Sequence, residues 1–367
     1  MGCGSSKPDT TKDVENKPIK GRSSEAIGNL QRLCPLLLKA LESIRRRELD
    51  DVWIRRYSGD VSVRRHQLVF FCKPEILDVD AGVCTEAVLQ MLLSKFTMEN
   101  IDVGAVRVLG GAALEQANIM SEHYGVISKI SREGHSALTD DAKAKLKEHF
   151  PSQSLGDVMG AHQFLEKVGS AMGAEALSKL STEKGPTKLA GGSYALPVEV
   201  GGKTYLVLNP FHPSQLVPYN NPKNSIVVME LRSDLSWKQL RQDVCGATNP
   251  TQARAGSLRA NLAENQVEFK MQVVNSSNNG FHMSAGPLEA MAEMRRLFND
   301  KSNLISFDQC RMGNALASRH ISQKQIELWS SNSAVLSEGK TMSVFDLTEE
   351  MDTQQAIKVL LESKHST

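Results

Sequence analysis

A histidine that lies between a turn and a capped helix is the feature that most constrains the fold of this chain. The segment Asn278–Gly286 predicts a turn followed by His282, and Pro287 then opens a helix that brings Glu293 back towards the imidazole. A carboxylate bonded to one ring nitrogen fixes the tautomer of a histidine and steadies the positive charge that develops on its ring. The fold must therefore place this helix against the segment that holds His282.

Groups suited to binding a polyphosphate lie upstream of this histidine. Ammonium, hydroxyl and guanidinium groups are the side-chain groups that bind phosphate oxygens. The chain offers them in Lys73-Pro74-Glu75, in Gly246-Ala247-Thr248-Asn249-Pro250 and in Gly256-Ser257-Leu258-Arg259. Together with His282 they favour phosphoryl-transfer chemistry.

Taken in order, these motifs resemble those of the nucleoside diphosphate kinases. The resemblance covers two blocks, from about His66 to Ile127 and from about Phe211 to Phe298. The five motifs of the second block, taken in series, are specific, whereas any one of them would be weak. The first block holds the lysine-proline pair and Ser121-Glu122-His123-Tyr124, and the second holds Leu216-Val217-Pro218-Tyr219, Ser225–Leu231, Gly-x-Thr-Asn-Pro, Gly-Ser-Leu-Arg and Asn-x-x-His-x-Ser.

The resemblance implies an α/β fold, a ferredoxin-like sandwich in which a four-stranded antiparallel sheet carries helices on one face. It also implies a ping-pong reaction: His282, with Glu293 as its partner, takes the terminal phosphate of a nucleoside triphosphate and passes it to a nucleoside diphosphate. Mg²⁺ would enter on the nucleotide phosphates, and no residue is assigned to a metal. The implied nucleotide-binding residues are Lys73, Tyr124, Thr248, Arg259 and Asn279.

Several positions depart from the family's pattern. Gln242 stands where the family has a second phosphate-binding arginine, and Met283 and Ala285 replace a glycine and an aspartate. The family's base-stacking phenylalanine aligns most closely with His212, beside Phe211, and either ring is a candidate for that role. These changes fit a slow or selective kinase, and they also fit a relative that only binds nucleotide.

Three functions therefore stay open. The first is a membrane-tethered nucleoside diphosphate kinase that uses His282. The second is a catalytically degenerate module that binds nucleotide or a partner as a scaffold at a membrane. The third is a lipid-anchored adaptor that works through an insertion. Because the family forms hexamers and this chain has a large insertion, homo-oligomerisation also stays open.

The first seven residues fit the pattern for N-myristoylation. Gly2 offers its amine once Met1 is removed, and Ser6 stands at the expected position. Cys3 is then a palmitoylation site, and two acyl chains convert reversible contact into stable anchoring. We therefore expect a cytoplasmic protein that is lipid-anchored to the cytoplasmic leaflet of a membrane, and a flexible glycine-serine tail is the alternative.

Composition excludes few other classes of protein. The 43 basic and 42 acidic residues nearly cancel, so bulk electrostatics does not favour nucleic acid as a partner. Six scattered cysteines without C-x-x-C spacing and the lack of a secretory signal favour a reduced, cytosolic protein. No apolar run approaches the roughly 20 residues that cross a bilayer.

Apolar periodicity and changes in composition divide the 367 residues into four parts. The parts are a disordered acylated tether at 1–23, a helical N-terminal extension at 24–60, a kinase-like domain at 61–300 with an insertion at about 130–205, and a C-terminal extension at 301–367.

Local patterns add detail to these parts. Pro35 is expected to kink the helix of the N-terminal extension. Gly201-Gly202 predicts a tight hairpin inside the insertion. The insertion is expected to pack beside the nucleotide cleft, so that deletion of Glu133–Gly192 leaves a folded core. The C-terminal extension is predicted to be a polar tail with one helix, Thr353–Glu362.

Overall fold

The structure, a computed structural model, describes residues 30–365 except 31, 62–63, 301 and 338. The expected acylation sites Gly2 and Cys3 and the whole predicted tether lie outside the described residues. Within the described part of the chain, every helix is too short or too polar to span a bilayer. The described residues form a mixture of helices and largely antiparallel sheets.

The strands and helices follow one another along the chain with these bounds. The strands are β1 Asp51–Arg55, β2 His66–Cys72, β3 Asp102–Gly110, β4 Val158–Gly160, β5 Thr187–Ala190, β6 Ser193–Val200, β7 Lys203–Leu208, β8 Ser225–Ser233, β9 Phe281–Met283, β10 Ala334–Ser337, β11 Lys340–Ser343 and β12 Lys364–His365. The helices are α1 Leu33–Arg45, α2 Thr85–Met98, α3 Gly111–Gln116, α4 Ile119–His123, α5 Gly125–Glu133, α6 Asp140–His149, α7 Ala161–Val168, α8 Ala174–Lys184, α9 His212–Asn220, α10 Trp237–Gln239, which continues as a π-helix over Leu240–Cys245, α11 Leu258–Glu264, α12 Pro287–Phe298, α13 Arg311–Ala317, α14 Gln323–Ser330, α15 Val344–Thr348 and α16 Thr353–Glu362.

The central sheet has five antiparallel strands in the order β1-β3-β8-β2-β9. Every residue of β2 is buried, as expected for a strand covered on both faces. The expectation of four strands is therefore wrong by one, because β1 adds to the edge strand β3, with Asp51 opposite Leu109. Strand β1 is only five residues long and lies at an edge of the sheet, so its pattern of apolar residues in the sequence is weak.

Helices cover both faces of this sheet, which corrects the expectation of helices on one face. Leu68 and Phe70 of β2 face a core that includes residues of α1 and α2. Val69 and Phe71 face a second core, which includes residues of α9 and α12 and of the helices after residue 300. Successive side chains of a strand point to opposite faces, so a strand that is apolar throughout needs two such layers.

The C-terminal extension is a packed layer and not a polar tail. The predicted helix Thr353–Glu362 is confirmed as α16. Three further helices, α13 to α15, and the small sheet β11-β10-β12 accompany it. Its buried side chains, among them Leu316, Trp329 and Ile357, join the second core. These apolar residues are widely spaced in short elements, which is why periodicity did not reveal them.

The N-terminal helix α1 begins at Leu33 and contains Pro35 of the apolar stripe. Pro35 is the third residue of α1, where a backbone N–H has no acceptor within the helix, so the expected kink does not follow. Leu37 and Ile44 of this helix are fully buried in the first core.

The insertion has a sheet and apolar clusters of its own. Its strands are ordered β4-β7-β6-β5, and the predicted hairpin between β6 and β7 is confirmed. Gly201 and Gly202 form its turn at φ 60° and 74°, which glycine adopts without steric cost. Among the described residues, the apolar clusters of the insertion draw only on residues between Ile130 and Leu208, and neither core of the central sheet contains any of these.

Candidate active site

His282 lies on the short edge strand β9, where it is opposite Phe71 of β2. The two rings stack with centroids 4.4 Å apart and an interplanar angle of 18°. Gly280 leads into this strand at φ 76°, and a Cβ atom there would lie 2.6 Å from Leu262. Glycine is therefore required for the chain to enter β9 and place His282 on Phe71.

Glu293 comes back to His282 as the sequence indicates. Its Oε1 lies 2.8 Å from Nε2 of His282, while Ser284 donates its hydroxyl hydrogen to Oε2. Burial alone would raise the pKa of Glu293, but the neighbouring imidazoles and the Ser284 hydroxyl hold that pKa below its usual range. Glu293 is therefore a carboxylate at neutral pH, and Nε2 of His282 is the nitrogen that donates to it.

The other nitrogen of His282 is available. Because Nε2 carries the hydrogen, Nδ1 of a neutral ring carries the lone pair. Among the described residues, Nδ1 has no hydrogen-bond partner, and 19% of the side chain is exposed. The geometry thus presents one nucleophilic nitrogen at the surface and anchors the opposite nitrogen on a buried carboxylate.

A second histidine, His123, completes the cluster, and sequence reasoning gave it no role. It ends α4, and its ring lies 4.6 Å from that of His282 at an angle of 83°. Its Nδ1 lies 3.4 Å from Oε1 of Glu293. Burial lowers the pKa of His123 to about 3, so the ring is neutral. The motif that contains it was visible in the sequence, but nothing in that motif indicates contact with residues 282 and 293.

Three of the predicted nucleotide-binding residues meet on neighbouring loops. Nζ of Lys73 donates to the carbonyl of Ser277 at 3.2 Å, and burial lowers the pKa of this lysine. Asn279 is buried and donates to the carbonyl of Thr248 at 3.0 Å. The residue Thr248 is itself exposed. These contacts tie the loop before β9 to the two segments that the sequence analysis singled out.

Arg259 is buried, and its guanidinium group contacts the backbone. Nη1 donates to the carbonyl of Gly246 at 2.9 Å and Nη2 to that of Phe281 at 2.7 Å. The side chain therefore holds the loop at residue 246 against the strand that carries His282. Its role towards phosphate stays a prediction.

Gln242, which stands where the resemblance implies a second phosphate-binding arginine, contacts the C-terminal extension. Gln242 donates to Glu350 at 3.0 Å and accepts from Arg254 at 3.0 Å. Its neighbour Arg241 donates to the carbonyl of Met283 at 2.9 Å. The Gln242 contact therefore joins this segment to the C-terminal extension, and the Arg241 contact joins it to the residue after His282.

The insertion contacts residues that neighbour Tyr124. Its His162 lies 5.6 Å from His212, which in turn lies 5.9 Å from Tyr124. His212 has no exposed surface, so the expectation that its ring is a candidate for stacking on a base is wrong. Phe211 packs on Tyr194 at 5.6 Å and keeps part of its surface exposed. The insertion is thus linked to Tyr124 through His212, and its place beside a nucleotide cleft stays a prediction.

Comparison with known proteins finds solved structures that are distantly similar to this chain. No protein-family model and no curated protein matches the chain. A crystal structure of an NDP kinase from Pyrobaculum aerophilum aligns with a TM-score of 0.32 and 17% sequence identity, over 65% of this chain and 99% of that chain. A similarity this weak does not show a family, so the function rests on the chemistry of the site.

Proposed function

We propose that this chain moves the terminal phosphate of a nucleoside triphosphate to a nucleoside diphosphate through a phosphohistidine at His282. The observation that carries the proposal is the contact between Nε2 of His282 and the buried carboxylate of Glu293, at 2.8 Å. This contact leaves the Nδ1 lone pair free at the surface and places a negative charge where the ring becomes positive.

The proposed reaction has two halves. In the first, Nδ1 attacks the terminal phosphorus, and the bond to the bridging oxygen breaks, which releases a nucleoside diphosphate. In the second, a β-phosphate oxygen of another nucleoside diphosphate takes the phosphoryl group, and Nδ1 regains its lone pair. Lys73 and the Thr248 hydroxyl are proposed to bind the phosphate oxygens, and Mg²⁺ carried by the nucleotide offsets their charge.

The strand order of the central sheet supports the fold that the proposal needs. The segments β2-α2-β3 and β8-α10-β9 form two βαβ units, and their four strands lie in the order β3-β8-β2-β9. Apolar residues of α2 and of the π-helix after α10 belong to the same core. We propose that this part of the sheet is a ferredoxin-like sandwich extended by β1.

A labelling experiment tests the proposal. The purified chain, incubated with γ-labelled ATP and Mg²⁺, should take up label that is acid-labile and base-stable, as a phosphoramidate is. Addition of a nucleoside diphosphate should then discharge the label into triphosphate. His282→Ala should lose both steps, whereas His320→Ala, which removes an exposed histidine, should keep both. Label on the His282→Ala variant would contradict the proposed nucleophile.

A second candidate function is a nucleotide-binding scaffold without turnover. It is favoured by the arginines around the site, since both terminal nitrogens of Arg259 and one of Arg241 bond to backbone carbonyls. Guanidinium groups held in this way have fewer N–H groups to offer a phosphoryl group in transfer. Nucleotide binding without acid-labile label in the same experiment would select this function.

We also propose that the chain is held on the cytoplasmic face of a membrane by acylation at Gly2 and Cys3. The support is the sequence pattern alone, in which two acyl chains together give stable anchoring. Gly2→Ala should move the expressed protein from the membrane to the soluble fraction. Gly4→Ala is the matched control, because the pattern allows any residue there. Equal membrane fractions for the two variants would refute the anchor.

A further inference from the structure

We infer that His123, His282 and Glu293 form a binding site for a divalent transition metal such as Zn²⁺, and that a bound metal blocks phosphoryl transfer at His282. The binding half of this inference stands on geometry alone. The blocking half rests on the proposed function, because it concerns the same imidazole.

The distances from Glu293 to the two histidine nitrogens are close to those around a tetrahedral ion. Oε1 of Glu293 lies 2.8 Å from Nε2 of His282 and 3.4 Å from Nδ1 of His123. All three atoms lie within 4.8 Å of one another. Bonds of about 2.0–2.2 Å to zinc place neighbouring ligand atoms roughly 3.3 Å apart, so each of the two distances from Glu293 lies within about half an ångström of that spacing.

The chemistry of the donors selects the kind of metal. Imidazole nitrogens suit Zn²⁺ and its neighbours in the first transition row, whereas Mg²⁺ prefers oxygen. Two histidines and one glutamate also form a known catalytic-type zinc set, which keeps a fourth position for water or another ligand. Here that position would lie on the side of His282, the most exposed of the three side chains.

The surroundings already hold the ligands in place. Ser284 donates to the second oxygen of Glu293, which is the kind of outer contact that orients a ligating carboxylate. Phe71 packs against both imidazoles, at 4.4 Å from His282 and 5.5 Å from His123. These contacts restrain all three ligand side chains next to one another.

His123 supplies an independent indication. Its Nδ1 is buried, and among the described residues it makes no hydrogen bond, although Glu293 is near. Buried polar atoms without a partner are rare because they lose the hydrogen bonds that water would give them. A bond to a metal would give this nitrogen a partner. The proposed phosphoryl transfer takes place at Nδ1 of His282 and gives Nδ1 of His123 no partner.

A bound metal would make Nδ1 of His282 non-nucleophilic, because it moves the ring proton to that nitrogen. In the structure the hydrogen of the His282 ring is on Nε2, and Nδ1 holds the lone pair. A metal on Nε2 takes the lone pair of that nitrogen, so the ring hydrogen moves to Nδ1. The nitrogen that must attack phosphorus is then protonated and has no lone pair to use. Metal binding and phosphohistidine formation at this ring are therefore mutually exclusive.

The binding half is tested on the full chain without nucleotide. Protein stripped with a chelator is titrated with Co²⁺, whose visible absorption is strong in tetrahedral sites and weak in water, and Zn²⁺ is then used to displace it. We expect one equivalent of Co²⁺ with a tetrahedral spectrum that Zn²⁺ abolishes. His123→Gln should weaken binding at least ten-fold, whereas the exposed-site control His320→Gln should not change it.

Two results would overturn the site. One is the lack of a stoichiometric tetrahedral spectrum in the wild-type protein, which decides the question even if the His123→Gln variant does not fold. The other is a folded His123→Gln variant that binds as tightly as the wild type.

The blocking half is tested by labelling with γ-labelled ATP and Mg²⁺, with and without free Zn²⁺ held by a metal buffer. We expect label only on the metal-free protein. Label that forms equally fast on the zinc-loaded protein would overturn the block and leave the proposed function intact. Metal binding together with no label in either sample would overturn the proposed function, and the block with it, and leave the metal site.

Discussion

Replacement of Ser284 by alanine should destabilise the protein and loosen its candidate active site. Ser284 is fully buried, and alanine cannot make the hydrogen bonds of its hydroxyl. It donates to Oε2 of Glu293, and it accepts the backbone N–H of Val69 at 3.0 Å. Ser284→Ala therefore leaves a buried carboxylate oxygen and a buried N–H of the central strand β2 without these partners.

The size of the effect follows from the two lost hydrogen bonds. A bond to a charged group contributes about 1.5–3 kcal/mol and a neutral one about 0.5–1.5 kcal/mol. Because both abandoned groups stay buried, we expect the free energy of unfolding to fall by about 2–4 kcal/mol. Phosphohistidine formation should also slow, since Glu293 is then held only by the imidazoles.

Urea denaturation followed by tryptophan fluorescence measures this loss. Trp53, Trp237 and Trp329 all lie outside the insertion, so the signal reports the central sheet and the layers on it. Ser333→Ala is the matched control, because its hydroxyl is also buried but has no hydrogen-bond partner among the described residues. The control should change stability by less than about 0.5 kcal/mol. A Ser284→Ala variant as stable as this control would refute the reasoning.

Two further predictions concern pH and the insertion. Burial, and after it the nearby charge of Glu293, raise the pKa of Glu289. Glu289 therefore contributes to stability at low pH, where it is protonated, and this contribution is lost as the pH rises through its folded-state pKa. Glu289→Gln should therefore raise the melting temperature at about pH 9 and change it little at about pH 4, and equal shifts at both would contradict this. Replacement of residues 134–208 by a short linker should leave a cooperatively melting core, because neither core of the central sheet uses these residues. The shorter deletion of Glu133–Gly192 leaves β6 and β7 with uncovered apolar side chains, so we expect that variant to aggregate in size-exclusion chromatography. An unfolded product from the deletion of 134–208 would show that the insertion belongs to the core.

Much of the local structure is legible in the sequence. The apolar runs that form β2, β3 and β8, the helix α16 and the Gly201-Gly202 hairpin are all set by periodicity or turn chemistry, which act over a few residues. The pairing of His282 with Glu293 is also legible, because only ten residues separate them and a turn followed by a helix brings them back together.

The tertiary structure alone decides which partners the other site residues have. His123 meets Glu293 across 170 positions, and the contact depends on how α4 and α12 pack against the sheet. Arg259 is a cation in the sequence, but packing turns its guanidinium group towards two carbonyls. His212 is fully buried, with His162 of the insertion 5.6 Å away and Tyr124 also close to its ring. Such contacts join residues far apart in the chain, and they depend on shape and burial, which leave no periodic pattern in the sequence.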